Sequence, residues 1–183
     1  MADHTFAVVS YLSGQPAEFI NGFRRRLNPV YGEWLAHLSV LPPRRLSGSV
    51  EDCLALLRRQ CEQIAPLDVA LDGVSTFWPV SGVVYLSISE GYQELVALHD
   101  LLNVETMQSR EAHRYVPHIT VAQELDESST HSVHEEVARA WSDLAQPFRL
   151  RVDSLVLVEQ AAPNQWIDVA PIPLGSLSFT GRR

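Results

Sequence analysis

Two short segments of this chain share one order of side chains: histidine, aliphatic, hydroxyl, aliphatic. The first runs from His37 to Val40 and the second from His118 to Val121, one in each half of the sequence. Alternate side chains of a β-strand point to the same face. As strands, the two segments would each present an imidazole and a hydroxyl together and bury two aliphatic side chains behind them. The pattern predicts two such strands facing one cleft, with two acid–base groups and two hydroxyl donors around an anionic centre.

The doubled pattern is rare among histidines in general. The chain has seven histidines, and only these two fit the pattern. A random histidine fits it roughly one time in fifty, so two accidental fits are on the order of a one-per-cent event. The alternative interpretation is that both are strand histidines packed in a core or held at a surface. The repetition favours a shared site.

Composition sets the class of protein. With 183 residues and 46% hydrophobic residues, the chain can bury a core of its own as a single domain. It lacks an apolar run long enough for a membrane span and the layout of a signal peptide, so we expect a cytoplasmic protein. Cys53 and Cys61 fall on one predicted helix about 12 Å apart, too far for a disulfide, and are predicted to be reduced.

The net charge of the chain limits the class of molecule that it can bind. The net charge of −8 disfavours broad binding of nucleic acid, which needs a basic surface. A small pocket that binds a single phosphate is compatible with this charge. The charge therefore favours a small phosphate-bearing ligand over a long nucleic acid, and we expect no membrane partner.

Each half of the chain repeats one order of predicted elements, strand-helix-strand-helix-strand, with the motif on the middle strand. The predicted strands are Thr5–Leu12, Glu33–Leu41, Leu67–Trp78, Val83–Ser89, Val116–Ala122, Phe148–Val158 and an additional Gln165–Ile172. The predicted helices are Pro16–Leu27, one capped by Ser49, Tyr92–Leu102 and Thr130–Ala145. An internal duplication about a pseudo-twofold axis would bring the two motif strands together across a groove.

The fold prediction follows from this order. We predict a single bilobal α+β domain over residues 1–183, built from duplicated β-α-β-α-β units. Its sheets are mainly antiparallel and form a central groove, with approximate lobes 1–80 and 81–175.

These motifs resemble the 2H phosphoesterase superfamily, in its 2′-5′ RNA ligase-like branch, which has two His-x-Thr/Ser-x motifs in a bilobal α+β fold. The resemblance spans nearly the whole chain. It includes the Leu-Pro-Pro that follows the first motif and the Tyr-Val-Pro that precedes the second. Ser39 departs from the commoner threonine; it keeps the hydroxyl but lacks the methyl group that stiffens χ1.

The resemblance implies a metal-independent phosphoesterase that uses no cofactor. Its substrates would be 2′,3′-cyclic or 2′-5′ phosphodiester linkages of nucleotides or RNA ends. By similarity, His37 and His118 are the catalytic pair, and Ser39 and Thr120 bind nonbridging phosphate oxygens. Following the tendency of the family, His118 is the general base and His37 the general acid, although the near-symmetry of the motifs leaves the opposite order open.

Elementary chemistry agrees with that implication. Opening a cyclic phosphodiester requires removal of a proton from water and delivery of another to the leaving ribose oxygen. Two imidazoles can do both, because the ordinary histidine pKa lies near neutrality. In reverse, the same groups would form a 2′-5′ linkage from a cyclic phosphate, which is an RNA ligase reaction. The alternative to an enzyme is a non-enzymatic module that binds a nucleotide or phosphate with the same groove.

Four further residues are candidates for substrate binding. Phe77 is a candidate to stack on a base or a core residue, and Tyr115 belongs either to the rim of the groove or to the core. Arg44 and Arg110 flank the motifs and are candidates to bind phosphate, with solvated surface as the alternative.

Two other polar groups are interpreted as structural. The arginines from Arg24 to Arg26 fall on the polar side of the first helix and are predicted to be solvated. His131 and His134 have the i,i+3 spacing of a metal pair. Because only Glu135 is near them as a third ligand, we predict no metal site there.

Overall fold

Two antiparallel sheets of four strands each form the framework of the protein. The computed structural model describes residues 4–27, 34–144 and 147–175. The strands in these ranges are β1 Phe6–Tyr11, β2 His37–Arg44, β3 Leu67–Thr76, β4 Val84–Ile88, β5 His118–Ala122, β6 Arg149–Val152, β7 Ser154–Ala162 and β8 Gln165–Pro173. The α-helices are α1 Gly14–Leu27, α2 Val50–Cys61, α3 Tyr92–Leu102 and α4 Glu127–Ser142.

The two sheets have the same plan. Their strand orders are β2-β1-β7-β8 and β5-β4-β3-β6, and all neighbouring strands are antiparallel. Each motif strand, β2 or β5, lies at the edge of its sheet beside the first strand of its own half, β1 or β4. The predicted α+β fold, with antiparallel sheets and a doubled order of elements, is confirmed.

The halves of the sequence are not the same units as the sheets. β3 closes the first half of the chain but pairs with β4, and β7 from the second half pairs with β1. A division into 1–80 and 81–175 therefore separates strands that belong to one sheet. The reason for the β3–β4 pairing is local, because only residues 77–83 separate these strands, which form a hairpin.

One predicted strand is two strands in the structure. The sequence predicts a continuous strand over Phe148–Val158, but the chain breaks at Asp153. β6, before the break, pairs with β3 in the second sheet, and β7, after it, pairs with β1 in the first. Aspartate is depleted in strands, and here the exposed Asp153 marks the point where the chain changes sheets.

Each helix buries one apolar stripe. Helices from one half of the sequence pack on strands from the other half. α1, from the first half, packs on β5, whereas α3, from the second half, packs on β2. Fully buried residues on the four helices include Ile20, Leu57, Leu95 and Val137. Each motif strand is thus backed by a helix from the other half of the chain.

Helix boundaries follow local capping. Ser49 caps α2 as predicted, since its Oγ accepts a hydrogen bond of 3.0 Å from the backbone N–H of Asp52. The predicted bounds of α3 are those of the structure. α4 begins at Glu127, earlier than predicted, because Asp126 caps it. The predicted limits at Glu33 and at residue 145 lie outside the described residues.

Cys53 and Cys61 are free and buried, as predicted, and burial raises the pKa of each thiol to about 11. Within the described residues, no helix has the length and apolar character needed to cross a bilayer.

Both motif strands contain an irregularity of register at the same position. In each strand an extra residue follows the motif hydroxyl, Val40 in β2 and Val121 in β5. Such bulges bend a strand and change the direction of the side chains beyond them. Strict alternation would place Leu41 on the face of His37, but after the bulge Leu41 is fully buried.

Candidate active site

A cavity of about 950 Å³ is lined by residues of both motif strands. β2 contributes His37 and Ser39 to its lining, and β5 contributes His118 and Thr120. The aliphatic residues between and after them are buried, as alternation on a strand requires. The structure therefore brings together the four side chains that the motif pattern singled out.

The two imidazoles are held in the same way by their own backbone. Nδ1 of His37 lies 2.7 Å from the carbonyl oxygen of Leu35, and Nδ1 of His118 lies 2.7 Å from that of Val116. A carbonyl accepts only, so in each ring Nδ1 carries the proton and donates it. Nε2 is therefore the nitrogen available to a ligand: it accepts when the ring is neutral and donates when the ring is charged.

His37 lies under a stack of aromatic rings. The Trp34 ring centroid is 4.1 Å from that of His37, and Trp166 stacks on Trp34 at 4.9 Å with an interplanar angle of 8°. Burial and, to a smaller extent, the nearby positive charge of Arg24 together lower the pKa of His37 to about 3. His37 in the free protein is consequently neutral.

His118 makes T-shaped contacts with its aromatic neighbours. The Phe77 ring lies at 87° to it with centroids 4.9 Å apart, and the Tyr85 ring lies at 64° and 5.2 Å. Burial lowers the pKa of His118, and the hydrogen bond to the Val116 carbonyl opposes that shift. Phe77 also stacks on Tyr85 and lines the cavity beside His118; its contact with a base stays a prediction.

Arg24 is a residue of the site that the sequence interpretation missed. Its side chain was predicted to be solvated, but only 6% of the residue is exposed and it lines the cavity. Its Nε and Nη2 donate to the Thr120 carbonyl at 3.2 and 2.6 Å, and its Nη1 donates to the carbonyls of Trp34 and Leu35 at 2.9 and 3.0 Å. The available signal was position, since Arg24 follows buried Ile20 by four residues on one helix face.

Tyr115 was predicted to lie either at the rim of the groove or in the core, and it lies at both. It lines the cavity, yet only 8% of it is exposed. Its hydroxyl donates a hydrogen bond of 2.7 Å to the carbonyl of Ser39, and its ring stacks on His99 at 4.2 Å with an angle of 7°. Burial, with the negative charge of Glu111, raises the pKa of Tyr115, so the hydroxyl stays protonated.

Arg44 was predicted as a candidate phosphate ligand, but it is buried and does not line the cavity. Its guanidinium donates to the carbonyls of Pro42 and Met107 and to Oδ1 of Asn103. It also forms an ion pair of 2.6 Å with Glu111. β2 continues past its predicted end through a second irregularity, which carries Arg44 into the interior.

Arg110 lies in a different place from Arg44. It is exposed and lines the cavity, within the segment that precedes β5. Its binding of phosphate stays a prediction.

The histidine pair on α4 lies apart from these residues. Nε2 of His134 is 3.3 Å from the Val74 carbonyl, and the His131 ring meets the edge of Trp78. Within the described part of the chain, no group of three or more His, Cys, Asp or Glu side chains is placed to hold a metal ion.

Comparison with known proteins decides the family. The model of the 2′-5′ RNA ligase superfamily matches residues 12–164. This chain belongs to that superfamily. Among its relatives is the Oceanobacillus iheyensis protein named "Putative phosphoesterase OB1230", which is 32% identical over 163 residues, covering 85% of this chain and 89% of that protein. The predicted resemblance is confirmed.

Solved structures show the same fold. E. coli LigT in complex with 3′-AMP superposes with a TM-score of 0.63 at 17% identity, covering 93% of this chain and 98% of LigT. LigT in complex with ATP superposes with a TM-score of 0.61 at 18% identity, covering 94% and 99%. At this level of identity the likeness concerns the fold alone.

Proposed function

We propose that this protein is a metal-independent phosphoesterase that opens 2′,3′-cyclic or 2′-5′ phosphodiester linkages of nucleotides or RNA ends. The observation that carries the proposal is the matched pair of imidazoles. His37 and His118 line one cavity, each with Nδ1 bound to its own backbone and Nε2 left for a ligand. Membership in the superfamily supports the same class of reaction.

The proposed reaction balances its protons between the two rings. One neutral imidazole takes a proton from water as the water oxygen bonds to phosphorus. The bond from phosphorus to the leaving ribose oxygen breaks. The other imidazole, which is already protonated when the step begins, gives its proton to that oxygen. The hydroxyls of Ser39 and Thr120 donate to the nonbridging oxygens, where negative charge develops. With a 5′-hydroxyl as nucleophile and a 2′,3′-cyclic phosphate as substrate, the new bond joins O5′ to phosphorus, the bond from phosphorus to O3′ breaks, and O3′ takes the proton; the same groups thus catalyse 2′-5′ ligation.

Our assignment is His118 as the base and His37 as the acid. In the free protein, burial and the charge of Arg24 keep His37 neutral. A bound phosphate anion favours the charged form of a neighbouring imidazole and so raises its pKa. On this proposal His37 acquires its proton together with the substrate and is charged when the leaving oxygen needs it.

The substrate class follows from the walls of the cavity. A cavity of about 950 Å³ is near the upper end of the volumes seen for small-ligand sites. Phe77 offers an aromatic ring for a base beside His118, and Arg110 offers a cation at the rim. LigT, which shares the fold, has been crystallised with 3′-AMP and with ATP, which supports a nucleotide ligand for this chain also.

The test is hydrolysis of 2′,3′-cyclic mononucleotides in EDTA, with the position of the product phosphate determined. We expect the wild type to turn over with EDTA present, and His37→Ala and His118→Ala each to lose about 10²–10⁴ in rate. His131→Ala, at an exposed histidine on α4, is the matched control and should keep the wild-type rate.

Two results would contradict the proposal. A wild type that binds phosphate but turns over neither cyclic nor 2′-5′-linked substrates would be a non-enzymatic binding module. Activity that disappears on chelation would indicate a metal hydrolase.

A further inference from the structure

Each motif strand is held by a side chain from the other half of the chain. The carbonyl of Thr120, in the second motif, accepts two hydrogen bonds from Arg24 of α1. The carbonyl of Ser39, in the first motif, accepts one from Tyr115, which lies just before β5. In both cases the acceptor belongs to the hydroxyl residue of the motif, directly before the extra residue of the strand.

The guanidinium of Arg24 contacts the second motif and the segment directly before the first. Its Nη1 donates to the Leu35 carbonyl, and this is the carbonyl that also accepts from Nδ1 of His37. Its other two nitrogens donate to Thr120. A guanidinium is planar and holds its donors in a rigid fork, so this one group fixes the orienting carbonyl of one imidazole relative to the opposite strand.

Tyr115 makes the reciprocal connection from the other half. It directly precedes Val116, whose carbonyl accepts from Nδ1 of His118. Its ring stacks on His99 of α3, the helix that packs on β2. The hydroxyl that reaches Ser39 therefore connects β2 to the segment that orients His118.

Burial makes these hydrogen bonds costly to lose. Arg24 and Tyr115 are both almost fully buried, and Ser39 and Thr120, whose carbonyls they contact, are partly buried. A buried carbonyl that loses its donor keeps the cost of its desolvation. Such groups keep one geometry, and a misplacement of about 1 Å in a reacting group can cost about 10²-fold in rate.

We propose that Arg24 and Tyr115 are reciprocal positioning residues, which set the separation and orientation of the two motifs across the cavity through the Thr120 and Ser39 carbonyls. The inference rests on the proposed function, because it concerns the geometry needed for that reaction. Neither residue is assigned a contact with the reacting atoms.

Two conservative variants test the inference. Tyr115→Phe removes one oxygen and keeps the ring on His99, and Arg24→Lys keeps the charge but loses the fork. The matched controls are Tyr11→Phe, which removes a hydroxyl that donates to Asp168, neither residue lining the cavity, and Arg25→Lys, on the exposed side of α1. All rates are measured well below the unfolding midpoint of each variant.

We expect kcat to fall about 10–100-fold in each variant, with KM changed less than about threefold, while both controls keep the wild-type kcat. Loss in Arg24→Lys would show that the fork matters and that the charge alone is insufficient. Because both residues act on one separation, the double variant should fall no more than about threefold below the slower single variant.

A second measurement does not depend on turnover. ¹⁵N spectra of the imidazoles report which nitrogen carries the proton. In the wild type we expect Nδ1–H alone for both rings. Arg24→Lys should produce mixed tautomers at His37, and Tyr115→Phe should produce them at His118, because the orienting carbonyls are no longer fixed.

The outcomes separate this inference from the proposed function. An active wild type whose two variants keep the wild-type kcat, or whose losses multiply in the double variant, overturns the inference and leaves the function standing. If the wild type turns over no substrate, the proposed function fails and the spectra decide: unchanged Nδ1–H tautomers in both variants overturn the inference, and mixed tautomers support it.

Discussion

The two motif regions have the same backbone arrangement and different surroundings. In both, the imidazole donates to the carbonyl two residues earlier, and an extra residue follows the hydroxyl. His37, however, lies against Trp34 with the two rings tilted by 34° and is close to Arg24, whereas His118 is in T-shaped contact with Phe77 and Tyr85. The repeated part orients the two imidazole rings, and the part that differs gives each ring its own electrostatic environment. A duplicated site can in this way supply both an acid and a base.

The largest expected effect separates the two roles. With an activated nitrophenyl phosphodiester, the leaving oxygen needs no proton, so His37→Ala should lose less than about tenfold while His118→Ala keeps its full loss of about 10²–10⁴. On a cyclic nucleotide both variants should lose that full amount. Steady-state rates on the two substrates give the comparison. The opposite pattern would exchange the roles of the two histidines.

The motif hydroxyls test how far the equivalence of the halves extends. Ser39→Ala and Thr120→Val each remove one donor to the phosphate oxygens, and we expect each to lower kcat about 10²-fold. Ser132→Ala, at an exposed serine on α4, serves as the control. Equal losses would mean that both halves stabilise the transition state alike. No loss at one of them would restrict phosphate binding to the other half.

The stability of the folded protein at low pH tests whether the fold keeps His37 neutral. Burial lowers the pKa of His37 to about 3, whereas an unfolded histidine has a pKa of about 6.5. Between these values the unfolded chain binds the proton and the folded chain does not. The free energy of unfolding therefore decreases as the pH falls through this window, by up to ~1.4 kcal/mol per pH unit for this one group.

Urea unfolding at several pH values measures this effect. His37→Gln should show a shallower decline below about pH 6.5 than the wild type. His131→Gln, at an exposed position, should keep the wild-type slope. Parallel slopes for His37→Gln and the wild type would show that His37 is not held neutral by the fold.

The smallest effect is expected at the rim of the cavity. Arg110 is exposed, so Arg110→Ala should raise KM only about two- to fivefold, with kcat unchanged, and the difference should shrink at high salt. Arg139→Ala, an exposed arginine on α4, is the matched control. A fall in kcat would instead place Arg110 among the groups that act on the transition state.

Local patterns in the sequence were sufficient to predict most of the helices and strands, and to single out four motif residues that line one cavity. Alternation on the two strands and the Ser49 cap depend on neighbours in the chain, and the structure contains both. The resemblance to the family also came from short motifs and was confirmed.

Contacts between segments that are distant in the sequence could not be predicted from those local patterns. Arg24 and Arg44 are buried because carbonyl or carboxylate acceptors from distant segments meet them, and no local periodicity encodes such partners. The exchange of β3 and β7 between the sheets, and the break at Asp153, likewise depend on which strands meet after folding. Arg24 was the one residue of these whose helical position gave a usable signal.

The exchanged strands make the duplicated halves inseparable. Since β3 completes the sheet of the second motif and β7 that of the first, a chain cut between the repeats would leave each fragment with an open sheet edge, and open edges invite aggregation. Widening the gap between the motifs would first require unzipping a central strand pair. The spacing of the two histidines is thus protected by the cooperativity of folding itself, and a gene fragment carrying one repeat should yield insoluble protein unless the other repeat is made alongside it.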